Sequence, residues 1–181
     1  MARNLPRLVL LDRDGVLNVD RPNSVRDPDE LEMIPGAAAA VARLNKSGIT
    51  TALVTNQAVV GRGEVALSML DHIHAKMRVL LRQAGAHLDA EFVCTDAAAS
   101  PRRKPAPGML LEAMARFGVA PGEAPMVGDA LRDLDAAATA GCPRILVLTG
   151  KGAETARDLP DRVRPVAIHA DLAAAVDALL A

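Results

Sequence analysis

Two aspartates stand two residues apart near the start of the chain, at the end of a short apolar run. The stretch VLLDRDGVLN places Asp12 and Asp14 directly after the apolar residues 9–11. A carboxylate at the end of a buried strand is costly to desolvate, so the pair suggests a chemical role. A solvated turn is the alternative, and the residues that follow the later apolar runs decide between the two.

Other polar residues follow later apolar runs in the same way. Carboxylates, a lysine and a hydroxyl suit a hard divalent cation beside an anion, and Mg²⁺ prefers oxygen ligands. A lysine, a hydroxyl and backbone N–H groups suit a phosphate. The residues of this set that follow the second, third and fourth runs are Thr55, Asn56, Arg103, Lys104, Asp129 and Asp133.

This set of residues supports phosphoryl transfer. Asp12 and Asp129 can hold Mg²⁺, while Lys104 and Thr55 bind the phosphate. An ionised Asp12 then attacks phosphorus, giving an aspartyl-phosphate that water later hydrolyses. Asp14 can give a proton to the leaving oxygen and later take one from water.

The elements that must position these residues alternate along the chain. Between apolar runs lie helical patterns with apolar residues three and four apart, which predicts a three-layer, Rossmann-like α/β fold with a mostly parallel sheet. Ligands of such sheets bind beyond the carboxyl ends of the strands, so the polar residues should share one crevice. We expect a single domain over residues 1–181, with strands at 7–11, 49–55, 90–94, 124–128 and 144–148.

Composition excludes several classes of protein. The chain has 181 residues, a formal net charge of −1, no Trp or Tyr, and two Phe. This net charge implies no general attraction to nucleic acid or anionic membranes, and the aromatic content removes the stacking platforms of single-stranded nucleic-acid binders. Two cysteines do not make a disulfide framework, and neither a signal peptide nor a membrane span is evident. We expect a cytoplasmic monomer or weak oligomer with no nucleic-acid or membrane partner.

The stretches DRDGVLN, VTNQ, RKPAPGM and VGDALRD resemble the four motifs of the haloacid dehalogenase superfamily of phosphohydrolases, in order, between about residues 8 and 150. The resemblance implies Asp12 as nucleophile and Mg²⁺ ligand, and Asp14 as general acid/base and ligand through its backbone carbonyl. Thr55 and Lys104 would stabilise the transferring phosphoryl group. Asp129 would complete the metal site, with Asp133 supporting it from outside the coordination sphere.

Finer features resemble the branch that contains the heptose bisphosphate and histidinol-phosphate phosphatases, whose members have no large cap domain. That branch implies a small phosphorylated sugar as substrate, with heptose 1,7-bisphosphate as the first expectation and histidinol phosphate or another small sugar phosphate as the alternative. Arg103 suits a second phosphate, since its planar fork binds one in a bidentate manner. The implied substrate contacts are Asp20, Arg21, Pro22, Asn23, Asn56, Gln57 and Arg103.

The stretch VCTDAAASPRRKP departs from the branch, which usually carries a structural zinc in this loop. Cys94 stands at the first ligand position, but Asp96 replaces the expected His, and Ser100 and Arg102 stand near the two later cysteines. One thiolate cannot make a closed tetrahedral zinc site, so we expect no structural zinc. A second departure is Ala130, where the branch often has lysine.

The chain has four histidines, two of which lie close together in a predicted helix. His72 and His74 lie on opposite sides of a predicted helix, and we expect both to be surface residues.

Two other classes of protein could share this set of motifs. A non-catalytic phosphate-binding domain would have lost the nucleophile or the lysine, and both are present. A receiver-like phosphotransferase would need a stable aspartyl-phosphate, which Asp14 is placed to hydrolyse. We therefore favour the enzyme.

Overall fold

The computed structural model describes residues 5–181. Its sheet has six strands in the order β3-β2-β1-β4-β5-β6, and every neighbouring pair is parallel. This confirms the predicted α/β class. The strands are β1 (Leu8–Leu11), β2 (Thr50–Asn56), β3 (Ala90–Cys94), β4 (Met126–Gly128), β5 (Arg144–Val147) and β6 (Val166–His169).

Within residues 5–181, six of the seven helices lie between strands and the last follows β6, and the longer helices cover both faces of the sheet. One core cluster joins one face to α1, α3 and α7, and the other joins the opposite face to α4 and α5. β1 contributes to both clusters because successive side chains of a strand point to opposite faces. The helices are α1 (Ala37–Lys46), α2 (Ala58–Gly61), α3 (Leu67–Gln83), α4 (Gly108–Phe117), α5 (Leu131–Ala140), α6 (Gly152–Thr155) and α7 (Leu172–Leu180).

The sequence-based assignment of five strands was incomplete, because it missed β6. This strand lies at the edge of the sheet, and its residues are partly or largely exposed. Ile168, for example, is 45% exposed. The apolar run of β6, residues 166–168, is short and ends at His169, and the sequence-based assignment did not use it.

Residues 12–36 link β1 to α1 as a flap and not as a cap domain. They contain two isolated bridges, Asp14 to Asn18 and Asn18 to Met33, and one 3₁₀ turn, Pro28–Glu30. Within residues 5–181, none of the helices combines the length and apolar character needed to cross a membrane.

Candidate active site

The strand order reverses direction between β1 and β4, and in open α/β sheets ligands bind at this switch point. Asp12 follows β1 there and Asp129 follows β4. The backbone N–H of Asp12 donates to the carbonyl of Val127 (3.1 Å), which sets the two strand ends side by side. Carboxylate oxygens of Asp12, Asp129 and Asp133 lie within 4.8 Å of one another, and all three residues are buried.

Lys104 is the cation that faces this carboxylate cluster. Its Nζ lies 3.1 Å from Asp12 Oδ1 and 2.8 Å from Asp133 Oδ1, and it donates to the carbonyl of Val54 (2.8 Å). Burial by itself would lower the pKa of Lys104, but the two carboxylates raise it above its ordinary value. Lys104 is therefore a fixed positive charge beside Asp12.

The carboxyl groups of Asp129 and Asp12 nevertheless have raised pKa values. Burial raises the pKa of Asp129 to about 7, and repulsion from Asp133 and Asp12 adds to the effect. Burial likewise raises the pKa of Asp12 to about 6, although Lys104 opposes the rise. Asp129 Oδ2 accepts from the backbone N–H of Lys151 (2.8 Å), while its buried Oδ1 has no hydrogen-bond partner.

These residues fit a hard divalent cation. An unpartnered carboxylate oxygen beside two more carboxylates is the donor set that Mg²⁺ prefers. Asp133 forms an ion pair with Lys104 through Oδ1 (2.8 Å), and its Oδ2 accepts from the backbone N–H of Ala130 (3.1 Å). Asp12 and Asp129 thus remain the side chains best placed to hold an ion, with Asp133 behind them.

Gly15 lets the loop after β1 approach Asp129 closely. Its φ is +81°, and a Cβ at this position would overlap the Asp129 carboxylate. The glycine after Asp14 is therefore required both by its left-handed backbone and by the space that Asp129 occupies.

The Asp14 side chain lies outside the carboxylate cluster and is held by hydrogen bonds. Arg13, Asn18 (2.9 Å) and Gln57 (3.0 Å) all donate to it. Burial alone would raise the pKa of Asp14, but the Arg13 guanidinium and these hydrogen bonds lower it below its ordinary value. Since the donors engage both oxygens, a contact of Asp14 with a cation would use the backbone carbonyl.

Gln57 also orients Thr55. Its Nε2 donates to Thr55 Oγ1 (2.9 Å), and both side chains are buried. Because that bond uses a lone pair of the hydroxyl, the Thr55 O–H remains available to a phosphoryl oxygen. Gln57 thus holds both Asp14 and Thr55 in place.

Asn56 holds the segment that carries Lys104. Its Nδ2 donates to the carbonyl of Lys104 (2.9 Å), and its Oδ1 accepts from the Lys104 N–H (3.1 Å). Both ends of the amide are therefore used within the protein, and the Lys104 backbone is fixed against the end of β2.

The loop in which the branch binds zinc is held by polar contacts. Arg102 makes a bidentate pair with Glu112 (2.8 and 3.1 Å), and Arg103 donates to the carbonyl of Asp96 (2.6 Å). Cys94 Sγ lies 3.5 Å from Asp96 Oδ2 and 3.9 Å from Ser100 Oγ. One thiolate with a carboxylate and a hydroxyl does not fit a closed zinc site.

A polar crevice opens over Asp14 between the flap, α2 and the loop after β5. Asp20, Arg21 and Pro22 of the predicted substrate contacts line it, and so do Asn56 and Arg103. Asn23 and Gln57 are not among its lining residues, and their predicted contact with substrate stays a prediction. The positively charged side chains of the crevice are Arg21, Arg62, Arg103, Arg132 and Lys151.

Arg132 and Lys151 are crevice residues that the sequence-based assignment missed. Lys151 follows β5 and lies 3.5 Å from Asp20. Arg132 is in the first turn of α5, and its Nε is buried without a hydrogen-bond partner. The rule that directed attention to the ends of the first four strands also applies to the end of the fifth, where Lys151 would have been found.

The expectation that His74 is a surface residue was wrong. His74 is 4% exposed and contacts Arg13 and Glu91, whereas His72 is exposed as expected. His74 stands four residues after Leu70 and three before Met77, both buried, so it shares their face of α3. This spacing indicated, from the sequence alone, that His74 is buried.

Fold and site together define a phosphatase of the haloacid dehalogenase type. A family model described as "HAD-hyrolase-like" matches residues 101–175. Among similar proteins, D-glycero-beta-D-manno-heptose-1,7-bisphosphate 7-phosphatase of Bordetella bronchiseptica is 43% identical over 180 residues, covering 96% of this chain and 98% of that one. The enzyme of the same name from Neisseria meningitidis serogroup A is 44% identical and covers 82% of this chain and 81% of its own.

Solved structures agree. That of the B. bronchiseptica D,D-heptose 1,7-bisphosphate phosphatase, complexed with magnesium and phosphate, has a TM-score of 0.90, 42% identity, and covers 96% of this chain and 98% of that chain. The Burkholderia thailandensis enzyme has a TM-score of 0.76 and 37% identity, and the match covers 97% and 99% of the two chains. The chain belongs to the family of heptose 1,7-bisphosphate 7-phosphatases.

Proposed function

We propose that this enzyme removes the 7-phosphate of D-glycero-β-D-manno-heptose 1,7-bisphosphate through an aspartyl-phosphate on Asp12, with Mg²⁺ as cofactor. The observation that carries the proposal is the meeting of Asp12, Lys104 and Asp129 at the switch point, with an unpartnered Asp129 oxygen. The names of the similar proteins supply the substrate.

Asp12 and Asp129 would hold Mg²⁺ with the backbone carbonyl of Asp14. When bound, Mg²⁺ supplies positive charge that keeps the carboxylates ionised and offsets the charge of the phosphoryl oxygens. The similar structure of the B. bronchiseptica enzyme is a complex with magnesium and phosphate, which supports this choice of cofactor.

In the first half-reaction an Asp12 oxygen attacks phosphorus, and the bond from phosphorus to the C7 oxygen of the sugar breaks. The leaving oxygen takes a proton from Asp14 in its acid form. Lys104 and the Thr55 hydroxyl stabilise the charge that spreads over the phosphoryl oxygens. Lys104 is held for this by its 2.8 Å contact with Asp133.

In the second half-reaction water attacks the phosphorus of the aspartyl-phosphate and gives its proton to Asp14. The bond from phosphorus to the Asp12 oxygen breaks, which releases inorganic phosphate and restores the Asp12 carboxylate. The contacts of Asp14 with Arg13, Asn18 and Gln57 favour the carboxylate that accepts this proton.

The crevice cations support a substrate with two phosphates. Five positive side chains line it against the carboxylates of Asp14 and Asp20. Arg103, the residue expected to bind a second phosphate, lines this crevice, and so does Arg132 of α5. An arginine can bind phosphate through two parallel hydrogen bonds.

The test measures phosphate release with Mg²⁺ from the β- and α-anomers of the bisphosphate, histidinol phosphate and sugar monophosphates. We expect preference for the β-bisphosphate and loss of more than about 10³-fold in kcat for Asp12→Asn. Asp71→Asn, at an exposed position of α3, is the matched control. Turnover of histidinol phosphate alone would overturn the substrate assignment, and an active Asp12→Asn variant would overturn the aspartyl-phosphate mechanism.

A further inference from the structure

A continuous chain of polar side chains leads from β3 to the candidate acid/base residue. Glu91 of β3 contacts His74 Nδ1 (3.0 Å), and His74 Nε2 contacts Arg13 Nη1 (3.2 Å). Arg13 Nη2 then donates to both oxygens of Asp14, at 3.0 and 3.1 Å. The chemistry assigned to the active site uses Asp14 and its contact with Arg13, but neither Glu91 nor His74.

Arg13 is the central member of this chain and is fully buried, with 0% exposure. A guanidinium removed from water needs partners for its charge and its N–H groups. Asp14 supplies the charge and accepts from Nη2 and Nε, the latter at 3.3 Å. His74 is the partner of Nη1.

The contact between Arg13 and His74 fixes the protonation of the imidazole. Arginine can only donate, so His74 Nε2 must accept and cannot carry a proton. The ring proton of neutral His74 is then on Nδ1, where it donates to Glu91. Arg78 also donates to Glu91 (2.8 and 3.0 Å), which holds the carboxylate in place.

We propose that His74 is a positioning residue for Asp14, acting through Arg13. Glu91 orients the imidazole, the imidazole holds the guanidinium, and the guanidinium sets the direction of the Asp14 carboxylate. This inference rests on the proposed function in one respect, the proton transfer assigned to Asp14. A small misplacement of such a group lowers turnover without weakening substrate binding.

The first experiment reads the tautomer of His74 by long-range ¹H–¹⁵N NMR of the intact protein at pH 8, with His74→Gln used to assign the signal. We expect a neutral ring with the proton on Nδ1. A ring protonated on Nε2, alone or together with Nδ1, would overturn the proposal, because it could not accept from Arg13.

The second experiment compares His74→Leu, which removes the acceptor, with His74→Gln, whose Oε1 can accept from Arg13. We expect His74→Leu to lower kcat by about 10-fold with KM nearly unchanged, and His74→Gln to recover most of it. His72→Gln, two residues away and exposed, is the matched control. Melting temperatures and kcat per folded molecule separate positioning from folding.

A His74→Leu variant with full kcat per folded molecule, or a His74→Gln variant no better than the leucine, would overturn the proposal. Both p-nitrophenyl phosphate and the heptose bisphosphate are used as substrates. A positioning defect at Asp14 lowers turnover of both. If wild type hydrolyses only the nitrophenyl ester, the substrate assignment fails while the His74 test stands.

Discussion

Replacing Asp129 by asparagine is expected to stabilise the metal-free protein at pH 8. In the folded chain the pKa of Asp129 is raised from the ordinary 3.8 to about 7, first by burial and then by Asp133 and Asp12. The difference corresponds to about 4 kcal/mol at most, since one pKa unit is about 1.4 kcal/mol. Asparagine carries no charge, keeps an acceptor for the Lys151 N–H, and adds an N–H₂ donor for the neighbouring carboxylates.

The sign of the pH dependence follows from the raised pKa. The folded state keeps the Asp129 proton up to about pH 7, while the unfolded state loses it near pH 4. This contribution to stability is therefore full below about pH 4 and is lost as the pH rises through about 7. The advantage of Asp129→Asn should be small at pH 4 and largest at pH 8.

The assay is thermal and urea unfolding in EDTA at pH 4 and pH 8, with exposed Asp71→Asn as control. We expect an increase in melting temperature of up to about 10 °C at pH 8. Adding Mg²⁺ should then stabilise wild type more than the variant, because Asp129 is a proposed ligand. A variant less stable than wild type at pH 8, or equal Mg²⁺ stabilisation of both, would refute the reasoning.

Three further substitutions test other parts of the site. Lys104→Met leaves Asp12 and Asp133 without their cation and should lower the free energy of unfolding by about 3–5 kcal/mol in urea melts. A loss no larger than that of Lys46→Met, at an exposed position, would contradict the ion-pair argument. Asn56→Ala removes both hydrogen bonds to the Lys104 backbone and should cost about 1–3 kcal/mol, with a fall in kcat; unchanged stability and kcat would show that the clamp is dispensable. Arg132→Met should raise KM for a bisphosphate by about 10-fold and for a monophosphate much less, and an equal rise for both substrates would exclude a second-phosphate role.

The sequence by itself determined the sheet and the edge at which chemistry occurs. Five of the six strands were predicted because short apolar runs alternate with helical patterns along the chain. The rule that ligands bind at the carboxyl ends of such strands then brought Asp12, Lys104 and Asp129 to one place, where the structure has them. These are local patterns, and local patterns can be read from the order of residues.

Only the tertiary structure decided which side chains are left to meet a ligand and which are used within the protein. Asn56 lies beside Thr55 at the end of the second strand, so the sequence predicts the same role for both. Its amide, however, is hydrogen-bonded to the Lys104 backbone, 48 residues away in sequence. His74 was assigned to the surface, but it contacts Arg13 across 61 residues. Such partners lie on different elements, and the sequence order contains no distance between them. Their pairing is set by how the end of β2 meets the loop after β3, and how α3 packs beside the end of β1.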